Sequence, residues 1–296
     1  MDAEIPFSEY KTRGILLCLG LCLFTYGILY GIATSFWRAL IDEELQTNVL
    51  YIFTYLWVLN WVRIKNRKNR IDAGLFFKPG GSLKPIHLLG LVIALFLFSM
   101  SMLWITYYPV SYLSPSLVES LILEADPPSS STLNYSLETA ITIVIAPVVE
   151  EVFFRGILLN RWATKWGIRK AIIISSIAFA VLHVDFLGAF IFSVAMALLY
   201  TKTRTLVAPI AAHILNNAIV IGVTLALDRF QGDSGNVSIE GFRSGIWIGA
   251  TLLAITLPFL IVYIKRNWPP KDRQAPYAEQ LLKNNSEEAK ELAASV

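Results

Sequence analysis

Apolar residues run through this chain in long unbroken blocks, neither alternating with polar ones nor falling into one-sided stripes, and the polar residues collect between the blocks. Eight blocks stand out: Gly14 to Phe36, Asn48 to Val62, His87 to Tyr107, Glu138 to Leu159, Ala171 to Val184, Gly188 to Tyr200, Leu206 to Leu227 and Gly245 to Ile264. A helix needs roughly 20 apolar residues to cross the hydrocarbon core of a bilayer, so most blocks are long enough and several are short. The pattern predicts an all-α, polytopic transmembrane helical bundle of about eight spans. The first block follows a mixed-charge, proline-containing start, exceeds a signal-peptide core and lacks a small-residue cleavage site, so it is expected to remain as an anchor.

Composition and charge sharpen this picture. The 296 residues are 55% hydrophobic and only 16% charged, which excludes an ordinary soluble domain. Eight spans with both termini cytoplasmic put every one of the 25 Lys and Arg on the inner side except Arg38, Arg229 and Arg243. The net charge of +3 is then a matter of orientation and of anionic inner-leaflet lipid, and no nucleic acid partner is implied. Cys18 and Cys22, one turn apart in the first span, are expected to be packing residues.

Three regions follow: residues 1–135 with spans 1 to 3 and their loops, residues 136–264 with spans 4 to 8 as a membrane core, and a polar cytoplasmic tail over 265–296. The inner loop from Arg63 to Ile86, with Leu75, Phe76, Phe77 and a turn at Pro79, Gly80 and Gly81, suits an elbow lying on the headgroups. The outer loop from Pro109 to Leu137 has no Lys or Arg and should be irregular. Beyond Pro269 and Pro270, Gln280 to Ala294 is expected to be a short exposed helix or disordered.

Polar residues inside the blocks carry the chemistry, because an ionisable side chain at the bilayer centre costs roughly 2.5–3.5 kcal/mol even on the lenient insertion scale. Glu151 and Arg155 are four apart in the favourable order and can pair on a helix. Glu150 points about 100° away, with Phe154 one turn below it, and lacks that partner. An unpaired buried carboxylate suits a general base. Pro147 cannot donate its backbone hydrogen bond and should loosen the helix just before the pair, where water can enter. Phe179 lies one turn before His183 and can pack on the imidazole. His213 lies one turn before Asn217, so two donors share a face and can hold a developing oxyanion. Pro209 again precedes that polar pair. Taken singly, each residue also fits interhelical hydrogen bonding, and Asp185 and Asn216 fit helix-end capping.

In this order the motifs resemble the CAAX protease and bacteriocin-processing family of glutamic intramembrane peptidases: Glu150, Glu151 and Arg155, then Phe179 and His183, then His213 and Asn217. The likeness spans roughly Ser136 to Leu227. It implies an endopeptidase, a hydrolase of peptide bonds in membrane-associated proteins or peptides, in which Glu150 activates water with help from His183. His213 and Asn217 would stabilise the oxyanion, with Glu151, Arg155 and Phe179 in support. No cofactor or metal is implied. The substrate is membrane-anchored, and in the eukaryotic branch it is a prenylated CAAX tail. The implied location is the cell (inner) membrane for a bacterial protein and the endoplasmic reticulum for a eukaryotic one.

Other classes use the same residues. Glu150, His183 and His213 have the ligand types of a zinc peptidase, although no His-Glu-x-x-His motif is present. An ion-coupled transporter would use buried polar groups as a relay, but no inverted repeat is visible. A non-catalytic scaffold or immunity protein would keep the fold alone. Depth poses a further problem: counted at 1.5 Å per residue, His183 lies about 20 Å from the inner end of its span, against roughly 12–15 Å for Glu150 and His213. Tilt, or a later start to the fifth span, is required.

Overall fold

A computed structural model describes residues 6–32, 35, 43–78, 80–81, 84–123, 131–231 and 238–294. Among these residues the chain is helical with no strand. The long elements are α1 (Thr12–Ile32), α2 (Glu43–Lys68), α3 (Pro85–Leu113), α5 (Ile168–Ala180), α6 (Phe186–Thr203), α7 (Val207–Gln231), α8 (Ile246–Asn267) and α9 (Pro276–Ala294). Between α3 and α5 runs α4, a continuous stack of Thr132–Ala140, Ile141–Ile145, Ala146–Glu151, Val152–Leu159 and Asn160–Trp166, in which the second and fourth pieces are wider π turns. Five described helical stretches are long and apolar enough to cross a membrane: Arg13–Ile32, Pro85–Leu113, Phe186–Thr203, Val207–Leu227 and Ile239–Asn267. The protein is an all-α helical membrane bundle.

Local chemistry sets the helix ends. Pro85 opens α3, where its missing N–H costs nothing. Asp185 caps α6 by accepting from Gly188 N at 3.0 Å. Gly167, with φ +83°, makes the break between α4 and α5 that a residue with a Cβ would resist. The central element is α6, buried along nearly all of its second half, with α3, α5 and α7 packed around it. Long-range packing between α8 and α3 is intimate: a Cβ on Gly249 would meet Trp104 at 2.6 Å.

Two sets of contacts define the ends of the bundle. At one end, Arg161 donates to the carbonyls of Phe7 and Ser8, Leu206 N to Phe76 O, Gly81 N to Thr203 O, Arg169 Nε to Pro269 O and Tyr277 N to Asn160 Oδ1. The segments expected to face inward therefore meet. At the other, Trp104 Nε1 donates to Phe242 O and Arg243 Nε to Ser111 Oγ. Arg38 lies outside the described residues, as do Phe36, Pro79 and residues 124–130 of the outer loop.

Several expectations need correction. The stretch after α2 is not simply a surface elbow: Leu75 and Phe76 are buried in the bundle, where Phe76 packs against Phe7 and Tyr277, and Phe77 is exposed. Nor is the tail simply exposed, since α9 begins at Pro276 and buries Tyr277 and Gln280, with the Tyr277 hydroxyl accepting from Asp72 N at 2.9 Å. The outer loop is partly helical, as α3 continues past Pro109 to Leu113 and turns follow at Pro115–Val118 and Glu119–Leu123. Finally, α5 stops at Ala180, so Val181 to Asp185 form a turn and not the end of a span.

Candidate active site

The centre of the site is a pair of charges with almost no exposure. Glu151 (0%) accepts from Arg155 Nη1 at 2.9 Å, the i to i+4 pairing that its spacing allows. A guanidinium carries more donors than one carboxylate oxygen can accept, and an unsatisfied buried donor is costly. Ser193 of α6 meets that need, its carbonyl and hydroxyl oxygens accepting from Arg155 Nη2 at 3.1 and 2.8 Å. The guanidinium carbon Cζ of Arg155 lies over the Phe179 ring, 4.9 Å from its centre. On Phe179 the imidazole of His183 stacks at 4.3 Å and 22°. Arg155, Phe179 and His183 thus form one contiguous group, with Phe179 between the other two.

Histidine orientation follows from the partner of each Nδ1. His183 Nδ1 lies 2.9 Å from Phe179 O, a carbonyl that can only accept, so Nδ1 carries the proton and Nε2 is left available. His213, only 4% exposed, places Nδ1 2.9 Å from Glu151 Oε1, the oxygen already held by Arg155, and Nε2 3.8 Å from Glu150 Oε2. A proton on Nδ1 again satisfies the contact. The ring is held between two carboxylates, with Phe179 and Phe192 edge-on at 6.0 and 4.8 Å. Glu150 differs from its neighbour in being partly open, with 24% of its side chain exposed. The second oxygen of Glu151, Oε2, is buried without a hydrogen-bond partner among the described residues.

Pro147 has a specific consequence for Asn217. In the π turn Ile141–Ile145, Ala146 N donates to Ile141 O, and the next donor in that register is Pro147, which has no N–H. The carbonyl it would have served is Thr142 O, and Asn217 Nδ2 donates to it at 2.8 Å. One amide proton of Asn217 is used in this way and the other is left over. Asn216 Nδ2 donates to Asn217 Oδ1 at 3.3 Å.

Beside these residues lies a cavity of about 170 Å³ lined by His183, His213 and Asn217, with Asp185, Asn216 and Ser99 among its polar walls and Phe179 and Phe192 among its apolar ones. The depth problem resolves through the turn at Val181 to Asp185, which lets His183 leave its helix and face the cavity that α7 lines with His213. A larger recess, about 680 Å³ near Phe7, Trp61 and Tyr277, contains none of these residues. Among the described residues no three His, Cys, Asp or Glu side chains converge as metal ligands.

The polar partners that motif reading missed are Ser193, Thr142 and Ser99. Spare donors on Arg155 and the proline in α4 were signals that acceptors had to exist, but spacing within one helix could not name them. Of the two residues that fit helix-end capping, Asp185 is the α6 cap and also accepts from Ser99, while Asn216 caps no helix end and donates to Asn217.

Comparison with known proteins converges on the same helices. Residues 132–219 match the family model for type II CAAX prenyl endopeptidase Rce1-like proteins. A Bacillus subtilis (strain 168) protein named "Putative membrane peptidase YdiL" is 29% identical over 111 residues, which cover 36% of this chain and 46% of that protein, less than half its length. No solved structure matches the chain. The family match runs from the start of α4 into α7 and takes in Glu150, Arg155, His183, His213 and Asn217: over these helices the chain is similar to the type II CAAX prenyl endopeptidase Rce1-like proteins.

Proposed function

We propose that this protein is an intramembrane endopeptidase that hydrolyses a peptide bond in a membrane-anchored protein or peptide, with Glu150 activating the water. The observation that carries the reading is the unequal treatment of two adjacent carboxylates. Glu151 is fully buried and tied to Arg155 and His213, whereas Glu150 is partly open and faces His213 Nε2 at 3.8 Å. One carboxylate organises the site and the other is free to exchange a proton.

In the proposed reaction, Glu150 takes a proton from water, oriented by Nε2 of His183, as the water oxygen attacks the scissile carbonyl carbon. The oxyanion receives hydrogen bonds from the remaining amide proton of Asn217 and from His213. Glu151 holds the His213 ring in place through Nδ1, at 2.9 Å. Collapse of the tetrahedral species breaks the C–N bond, and Glu150 returns the proton to the departing amine. Removal of a general base typically costs 10²- to 10⁴-fold in rate, the size expected for loss of Glu150. The family resemblance supports a substrate held in the membrane and presented from the basic end of the bundle. A cytoplasmic orientation of that end, and a cell or endoplasmic reticulum membrane according to source, belong to the same proposal.

The test is proteolysis by purified protein in liposomes, on tagged membrane-anchored peptides with and without a prenyl group, comparing wild type with Glu150→Ala and Glu150→Gln in the presence and absence of chelator. Chelator-resistant cleavage lost in both variants is the expected result, and the paired peptides report whether prenylation is required. Cleavage that persists without Glu150 would overturn the mechanism. Inhibition by chelator with rescue by zinc would replace it with metal chemistry.

A further inference from the structure

Away from the candidate active site, on the outer surface formed by α5, α6 and α8, two grooves of about 490 and 310 Å³ share Ile173 and Trp268 and so form one channel. Its long part is apolar, lined by Ile173, Phe190, Ile191, Val194 and Ile264. Its end is not: Arg169 and Lys170 at the start of α5 and Lys265 at the end of α8 border it, beside Trp268. Tryptophan is the residue that settles at the headgroup level of a membrane.

None of the three cations has a carboxylate partner among the described residues. Arg169 is nevertheless held in place, since its Nε donates to Pro269 O at 2.9 Å. That bond uses one donor and leaves the two terminal nitrogens, the pair that binds a phosphate with two parallel hydrogen bonds. Three unpaired cations beside Trp268 at one end of an apolar channel match the two halves of a single class of molecule. Basic pockets between membrane helices take anionic headgroups for this reason.

We propose that this channel is a binding site for a phospholipid with a net-negative headgroup, its phosphate held by Arg169, Lys170 and Lys265 and one acyl chain lying along Ile173, Ile191 and Val194. The excess of positive charge selects an anionic over a zwitterionic headgroup, although both carry phosphate. Occupancy is independent of peptide hydrolysis, so the site stands or falls separately from the peptidase reading.

The full-length protein in mild detergent is equilibrated with an equimolar mixture of phosphatidylglycerol and phosphatidylcholine, and bound lipid is measured by native mass spectrometry. Retention of phosphatidylglycerol over phosphatidylcholine by on the order of tenfold or more is expected, with each cation contributing roughly equally. The variant R169Q/K170Q/K265Q should lose the preference. If that variant does not fold, K170Q/K265Q, altered at two exposed positions, should show a partial loss. The variant I173W, which fills the channel and keeps the charges, should reduce retention of both lipids. Equal retention of the two lipids by wild type, or a preference unchanged in the charge variants, would overturn the proposal. Displacement of phosphatidylglycerol by millimolar inorganic phosphate, with I173W indifferent, would assign the cations to a soluble anion and overturn it as well.

Discussion

Helices α1 and α4 are both built from apolar residues, yet they are folded by different forces. In α1 the large side chains face outward: Leu17, Leu23 and Phe24 are exposed, and it packs chiefly against α2. In α4 the residues around the motif, Phe153 through Asn160, are buried together with Glu151, and the backbone departs twice from the regular α-helical turn. Lipid is as apolar as leucine, so hydrophobicity places α1 in the membrane without specifying a unique neighbour. What positions α4 is a set of polar bonds that lipid cannot supply: Arg155 to Ser193, His213 to Glu151, Asn217 to Thr142 and Asn160 Nδ2 to the Tyr200 hydroxyl. Polar groups specify the structure where α4 is fixed, and apolar groups only confine it where α1 is free.

Substitutions can break this contrast at graded strengths. The largest effect is expected from Arg155→Met, which leaves Glu151 buried without its cation. Removing one member of a buried pair costs about 3–5 kcal/mol, so thermal unfolding in detergent should show a large loss of folded protein. Next is Asn217→Ala, which removes a proposed oxyanion donor; kcat in a peptide cleavage assay should fall about 10²- to 10³-fold with KM little changed. A smaller effect is expected from Pro147→Ala. The new N–H can compete for Thr142 O and release Asn217, so activity should drop several-fold, the worth of a hydrogen bond of about 1 kcal/mol. The smallest is Leu23→Ala on the lipid face of α1, where the stability measured by the same thermal unfolding should stay within about 0.5 kcal/mol. A large loss at Leu23, or none at Arg155, would reverse the comparison.

The same division explains what could be read from the sequence. Contacts within one helix follow from its period, so the Glu151–Arg155 pair was legible at four-residue spacing, and the packing of Phe179 on His183 holds at the same spacing although α5 ends at Ala180 between them. The membrane class was legible because block length and hydropathy are set by the bilayer. Contacts between helices have no such period. Nothing local tells that His213 reaches Glu151 across 62 residues of sequence, or that Ser193 is the second acceptor of Arg155. The end of α5 is not legible because Val181, Leu182 and Val184 remain apolar through the turn, so apolar continuity outruns the helix. The helix of the tail was legible, but the docking of its first turn was not: α9 is polar in composition, and only Pro276, Tyr277 and Gln280 turn inward.

The central claim is that Glu150 directs a water molecule onto a peptide bond. The most direct test is single-turnover cleavage of a membrane-anchored peptide in proteoliposomes prepared in ¹⁸O-labelled water, with the new C-terminus analysed by mass spectrometry for wild type and Glu150→Gln. The account predicts one solvent oxygen in the wild-type product, and a rate reduced by about 10²- to 10⁴-fold in the variant with its melting temperature preserved. A product without solvent oxygen, or a folded Glu150→Gln protein that cleaves at the wild-type rate, would contradict it.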